Sequence, residues 1–128
     1  MTVIDPFGEP GSWVVRTASG ACHLLDSRDP DAPVTVTRLT ADAPPSDEFR
    51  CTTLRRDGAP LKVAGVHHLD PVDGLTSGVV VGLDMWLVLE PLSPDASATV
   101  RRTTPVVRIV AASSQPGLVE VEERSSDG

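Results

Sequence analysis

Short segments of alternating apolar and polar residues recur along the chain and limit the folds that are open to it. Turn-forming residues separate these segments about every 8 to 14 positions. Alternation with a period of two is typical of a β-strand with one buried face, whereas a helix repeats about every 3.6 residues. The sequence therefore predicts an all-β fold: a small antiparallel barrel or sandwich of about seven strands, connected as a meander or a Greek key.

The most apolar segment, residues 79–90, is expected to be the central strand. Its large apolar side chains share one parity from Gly82 onward, and Trp86 lies on the other parity with Asp84. Pro91 ends the segment, because proline cannot donate a hydrogen bond to a ladder. Trp86 is therefore expected on a second face, where it either is covered by a loop or anchors a partner.

Two connections are predicted from turn chemistry. The dipeptide Asp57-Gly58 is a strong hairpin signal and is expected to join a strand ending at Arg56 to a strand at residues 61–66. Residues 65–78 are expected to form the longest loop that could carry function. Near the C-terminus, residues 98–110 are predicted to form a long strand with a bulge around its two adjacent arginines.

A chain of 128 residues fits one domain by length. At this size folding hides roughly two-thirds of the surface, which is enough for a self-sufficient core. We therefore expect a single β domain over residues 1–128. Residues 1–11 and 112–128 are expected to be loose termini, with one last strand at residues 118–122 inside the second of them.

The net charge of −7 argues against binding to nucleic acid, which needs an excess of Lys and Arg. Two Phe, two Trp and no Tyr also leave little for stacking on bases. The same charge favours solubility and suits a basic partner. Arginine supplies ten of the eleven basic residues, which with frequent Ala, Gly, Pro and Val is typical of a high-GC bacterial genome.

A cytoplasmic location is expected. No segment approaches the roughly 20 apolar residues of a membrane helix, because Asp84 interrupts the longest run. Residues 1–6 lack the basic and apolar regions of a secretory signal. Cys22 and Cys51 are too few for a disulfide scaffold, and buried reduced thiols are the default for a cytoplasmic chain.

The weak metal-ligand candidates are Cys22, Cys51, His67 and His68. Their spacing is unfavourable, because the chain has no CxxC pair and adjacent residues of a strand point to opposite faces. We therefore expect no metal and no cofactor. A zinc site would instead require the two cysteines side by side, with a histidine within bonding reach.

A catalytic site would most easily use His67 or His68 with Asp70 as a general-base pair. The ordinary interpretation is that Asp70-Pro71 simply forms a turn. The motifs of activated serine nucleophiles and of phosphate-binding glycine loops are both absent. We therefore assign no catalytic residue.

The binding candidates are Arg55, Arg56, Arg101, Arg102 and Trp86. If the strands that carry them are neighbours, the four arginines form one positive patch suited to carboxylates or phosphates. The ordinary alternative is a solvated face whose arginines pair with Asp and Glu across the ladder. If Trp86 is exposed in an apolar surface, self-association is the natural explanation.

No stretch matches a motif whose function could be transferred to this chain. We interpret the protein as a non-enzymatic module for protein binding or assembly, whose partner is another protein or a second copy in a homo-oligomer. The alternative is a small enzyme or metal-binding protein that uses His67, His68 and Asp70.

Overall fold

The computed structural model describes residues 2–41, 51–56, 58–91, 95, 97–115 and 118–122. Within them the fold is all-β, which confirms the predicted class, with eleven strands where about seven were expected. No helix of the described residues is long and apolar enough to cross a membrane. The strands are β1 (Val3–Ile4), β2 (Ser12–Thr17), β3 (Cys22–Asp26), β4 (Thr35–Ala41), β5 (Cys51–Arg56), β6 (Leu61–Asp70), β7 (Gly74–Ser77), β8 (Val79–Val80), β9 (Asp84–Leu89), β10 (Thr99–Gln115) and β11 (Leu118–Glu122).

Two closed rings of antiparallel strands share β10, β2, β3 and β4. The first ring runs β2–β3–β4–β6–β9–β10 and returns to β2. The second ring runs β2–β3–β4–β5–β11–β10 and also returns to β2. The short strand β7 pairs with β6 at the edge of the sheet. The shared strands therefore form a common wall between two small barrels.

The common wall is buried on both faces. Val15 and Leu25 belong to the core of the first ring, and their neighbours Val14 and Leu24 belong to the core of the second. Each of these four side chains is at most 4% exposed. Adjacent residues of a strand point to opposite faces, so a wall between two cores requires consecutive apolar residues.

β10 belongs to both rings because of its length. Its first part pairs with β9, its middle with β2 and its end with β11. The register shifts between Arg102 and Pro105, and again between Val106 and Arg108. These irregularities confirm the bulge predicted near the adjacent arginines, and they bend the strand from one ring into the other.

A separate two-stranded sheet of β1 and β8 completes the first core with Ile4 and Val79. The turn before β8 depends on Gly78, whose φ is 110°. A Cβ atom there would also meet the carbonyl oxygen of Ile4 at 2.8 Å. Both features require glycine at this position.

Parts of both segments expected to be loose termini form strands among the described residues. Ile4 is 2% exposed, in the first core. At the other end β10 continues to Gln115, and the last strand, predicted at residues 118–122, pairs with both β5 and β10. Val119 of that strand is fully buried in the second core.

Residues 79–90 do not form one central strand. Gly82, with a φ of 100°, lies in a turn that separates β8 from β9. β9 lies between β6 and β10, and two-sided burial is found instead in β2 and β3. The alternation within β9 is nevertheless as predicted, with Met85, Leu87 and Leu89 buried.

The predicted connections around β6 are also wrong. β5 pairs with β4 and β11, and β6 pairs with β4, β7 and β9, so the ladders give no hairpin between β5 and β6. Gly58 has no positive φ, and Asp57 lies outside the described residues. The loop expected at residues 65–78 is instead the hairpin of β6 and β7, which turns at residues 71–73.

Candidate functional site

One end of the first ring opens, beside the turn between β2 and β3, into a cavity of about 620 Å³. We call this end the mouth. Its volume is in the range of sites for small organic ligands. The lining consists of basic residues (His23, Arg38, Arg101, Arg102), hydroxyl residues (Thr17, Ser19, Thr103, Thr104), apolar residues (Val36, Leu61, Leu87, Leu89) and small residues (Ala21, Gly58, Ala59).

The pleat of the common wall directs His23 and Arg38 into the mouth. His23 shares a face of β3 with Leu25, and Arg38 shares a face of β4 with Val36. Leu25 and Val36 are both in the first core, so this face is the interior of the first ring. His23 is also directly opposite Arg38 in the ladder of β3 and β4, an arrangement that brings two side chains close together.

Arg101 brings a third basic group to the mouth from β10, where it lies opposite the buried Leu87 of β9. Burial lowers the pKa of His23 below its ordinary value, and the positive charges of Arg38 and Arg101 lower it further. No carboxylate lines the mouth among the residues that the structure describes. The arrangement is therefore a concave site with basic side chains close to a half-buried imidazole.

The hydroxyl groups of the mouth are bonded within the protein. Thr17 Oγ1 lies 3.1 Å from Ser19 Oγ, and Thr104 Oγ1 accepts a 3.0 Å hydrogen bond from the backbone N–H of Ser19. Thr103 Oγ1 accepts from the backbone N–H of Met85 at 3.1 Å and donates to the carbonyl of Thr104 at 2.7 Å. These bonds fix the turn between β2 and β3 against β10 and hold the rim in place.

Arg102 and Trp86, both predicted as binding residues, are brought together by the structure. The guanidinium carbon of Arg102 lies 5.1 Å from the centroid of the Trp86 ring, in a cation–π contact. Arg102 Nε also donates to the carboxylate of Asp84. This matches the ordinary interpretation of a strand-face arginine paired across the ladder.

Arg56 lies elsewhere. It is opposite Leu39, a member of the second core, and its charge acts on Asp26. Burial raises the pKa of Asp26, but the hydrogen bonds of Arg28 and the charges of Arg28 and Arg56 outweigh burial and lower it. Arg101 and Arg102 both line the mouth, whereas Arg56 lies beside the second core. The side chain of Arg55, the fourth predicted arginine, lies outside what the structure describes.

The strands β7, β6, β9 and β10 present an outer face with Trp86 near its middle. The ladders align Trp86 with His67 on one side and Arg102 on the other. The apolar side chains that share this face and are more than half exposed are Leu69, Leu75 and Val100. We call this surface the outer face, and it is the apolar surface on which the prediction of self-association depends.

His67 and His68 do not act together. They lie on β6 rather than in a loop, and their side chains point to opposite faces. His68 is buried and its Nδ1 lies 3.0 Å from the carbonyl oxygen of Gly78. Asp70 accepts hydrogen bonds from the backbone N–H groups of Val72 and Asp73 at 2.8 and 2.9 Å, which lower its pKa and support its ordinary role as a turn former.

The weak metal candidates are not assembled either. Cys22 is buried in the second core. It lies opposite Leu39 of β4, which in turn lies opposite Arg56 at the end of β5. Cys51 begins β5, at the opposite end, and its side chain is not among those described. The described residues contain no group of three or more His, Cys, Asp or Glu side chains that could hold a metal ion.

Sequence reasoning found Arg101 and Arg102 as binding candidates but missed His23 and Arg38 of the mouth. The signal that could have found both is their position at core parity within apolar strands, where a charged or titratable side chain is uncommon. The position of His23 opposite Arg38 depends on the register of β3 with β4, which cannot be read from the sequence.

The histidine of the mouth predicts a pH dependence of stability. The folded state holds the pKa of His23 below its ordinary value of 6.5, so as the pH falls below 6.5 the unfolded state takes up the proton first. The contribution of His23 to the free energy of unfolding is therefore complete above pH 6.5 and is lost as the pH falls toward the lowered pKa. Denaturant unfolding between pH 7.5 and 5 is expected to show a smaller decrease for His23→Gln than for the wild type. Parallel curves for the two proteins would contradict the burial and charges described around His23.

Comparison with known proteins found no match: no protein-family model, no curated protein and no solved structure matches this chain. The function is therefore argued from the sites themselves.

Proposed function

We propose that this chain is a non-enzymatic binding module that holds a small anion in the mouth of the first ring. The observation that carries the proposal is the position of Arg101, which lines the cavity close to the half-buried His23. A guanidinium group suits a carboxylate or a phosphate because it can donate two parallel hydrogen bonds. The cytoplasmic location expected from the sequence stays a prediction.

The charge of the whole chain supports a small anion over a polymer. The chain carries a net charge of −7, so a nucleic acid would be repelled by most of the protein's surface. A small ligand responds instead to the local potential of the cleft, which the low-dielectric walls of the barrel strengthen. The acidic exterior and the basic mouth together favour a compact ligand.

Salt titrations followed by thermal unfolding test the proposal. Sodium acetate and inorganic phosphate are expected to raise the melting temperature in a saturable manner, beyond the effect of sodium chloride at equal ionic strength. A ligand present at about 100 times its Kd stabilises the folded state by about 2.7 kcal/mol, which such a scan detects readily. Equal effects of all three salts at every concentration would remove the support for an anion site.

The outer face supports a second proposal, which is assembly with another copy of this chain. Trp86 is half-buried there, and Leu69 and Leu75 are 55% and 57% exposed opposite each other on the edge hairpin. Exposed apolar side chains around an aromatic residue favour a protein contact. A twofold arrangement would set the same surface of two copies against each other. Trp13, at 6% exposure, belongs to the first core and has no part in this proposal.

Native mass spectrometry tests the assembly. The wild type is expected to form a dimer at micromolar concentration, and the double variant Leu69→Lys/Leu75→Lys is expected to be a monomer, because it places charges in the contact. The matched control is Val107→Lys, which changes a side chain of similar exposure on β10. A monomeric wild type, or a dimer that the double variant leaves intact, would contradict assembly through the outer face.

A further inference from the structure

β7 is the one strand of the nine-stranded sheet with a neighbour on a single side, among the residues that the structure describes. Every other strand of that sheet pairs with at least two strands, because both rings close. An unpaired edge offers a row of backbone N–H and C=O groups to another chain. Within the described part of this sheet, β7 is therefore the place where a further strand can add.

The backbone groups of Leu75 and Ser77 form this edge. One residue beyond the ladder of β6 and β7, Gly78 donates its N–H to the carbonyl of Val66 at 2.8 Å. Bonded and non-bonded pairs alternate in an antiparallel ladder, so the N–H and C=O groups of Leu75 and Ser77 point away from β6. No described residue forms a hydrogen bond with these outward backbone groups.

β7 lacks most of the features that usually protect an edge strand. Its four residues, Gly74–Ser77, include no charged side chain and no proline. Its register with β6 runs without a bulge. Its short length is the remaining protection. Leu75 is 57% exposed beside Leu69, so a strand added here would gain an apolar contact as well as backbone hydrogen bonds.

Carboxylates lie at both ends of this edge. The exposed Asp73 comes just before β7, and a carboxylate oxygen of Asp5 lies 3.4 Å from Ser77 Oγ. A second copy of this chain fits poorly, because antiparallel pairing of two β7 strands would set Asp73 of one copy beside Asp5 of the other. A basic strand fits well, because it would bring positive charge to both carboxylates. The net charge of −7 favours such a partner too.

We propose that β7 receives an extended segment of another protein as an additional strand, with a basic residue two positions before and two positions after a central apolar residue. The apolar side chain would lie beside Leu75. The two basic side chains would share its face of the strand and lie toward Asp73 and Asp5. The pattern is the same in both chain directions, so it suits either polarity of pairing. This inference adds a protein partner at the sheet edge to the sites proposed above.

Calorimetric titration with the acetylated and amidated peptide TKTVTKT tests the chemistry of the partner. The peptide is expected to bind saturably at one copy per chain. The matched peptide TETVTET is expected to bind at least about tenfold more weakly, because it would set like charges beside Asp5 and Asp73. Equal affinities of the two peptides, or no binding of either, would overturn the proposal.

Hydrogen exchange of the backbone amides locates the contact on the wild-type protein. The peptide TKTVTKT is expected to slow the exchange of the Leu75 and Ser77 amides saturably, because their N–H groups become bonded. The exchange of the Val107 amide, on β10, is expected to stay the same, because β10 does not pair with β7. Peptide binding that leaves the exchange of the Leu75 amide unchanged would exclude pairing at this edge.

A proline variant removes one outward N–H group. Leu75→Pro leaves the hydrogen bonds between β6 and β7 in place, since the Leu75 N–H does not take part in them. The matched control Leu75→Ala loses the same apolar side chain and keeps the N–H group. The proline variant is expected to bind TKTVTKT at least roughly fivefold more weakly than the alanine variant, the effect of one net hydrogen bond. Equal binding by the two variants would contradict the proposal, and the exchange measurement decides it whether or not Leu75→Pro folds.

Discussion

Replacing either Leu24 or Leu25 by alanine is expected to lower the free energy of unfolding by about 2–5 kcal/mol, the usual cost of truncating a fully buried leucine. The two residues are adjacent on β3, and at 1% and 0% exposure they are equally buried. They belong to different cores, Leu24 to the second and Leu25 to the first. Comparable costs are therefore expected only if both faces of the common wall are packed.

Denaturant unfolding of the two single variants measures the effect. The control Leu69→Ala, on the outer face, is expected to change the stability by no more than about 0.5 kcal/mol. A large cost for one of the two buried leucines and a negligible cost for the other would contradict the arrangement of two cores around one wall.

Reversing the charge of Arg101 is expected to weaken binding of a carboxylate at the mouth by roughly a hundredfold or more. Arg101→Glu removes one charge-assisted donor and sets a carboxylate where the ligand's head would lie. The new carboxylate also replaces a positive charge that lowers the pKa of His23, so that pKa is expected to rise. The two effects have one cause and should appear together.

Calorimetry with sodium acetate and NMR titration of the His23 imidazole measure the two effects. The control Arg16→Glu makes the same change on an exposed residue of β2, whose side chain is not part of the mouth. It changes the net charge of the protein by the same amount, so any general effect of charge appears in both variants. An Arg101→Glu protein that still binds acetate as the wild type does would contradict the placement of the anion.

Local features of the sequence predicted the strands well because they depend on neighbouring residues alone. The bounds of β11 and the alternation within β9 follow from parity and from turn residues. Two adjacent leucines, as in β3, are typical of a strand that is buried on both faces, and the two cores explain why. The parity of residues shows which side chains share a face of one strand, but it does not show which strands pair.

Partners across the sheet could not be predicted, because pairing is decided by packing between distant parts of the chain. The Asp57-Gly58 dipeptide favours a hairpin locally, but β4 pairs with both β5 and β6 and keeps them apart. The candidate site depends on the same long-range pairings. Arg101 is far from His23 in sequence, and the closure of the first ring through β10 brings the two together.

The proposed binding of an anion in the mouth is tested most directly by a two-dimensional ¹H–¹⁵N NMR titration with sodium acetate. Signals of Thr17, His23, Arg38 and Arg101 are expected to shift together and saturate at one ligand per chain, while those of Leu69 and Leu75 stay in place. Saturable shifts confined to the Trp86 indole and the edge hairpin, or no saturable shifts at all, would contradict it.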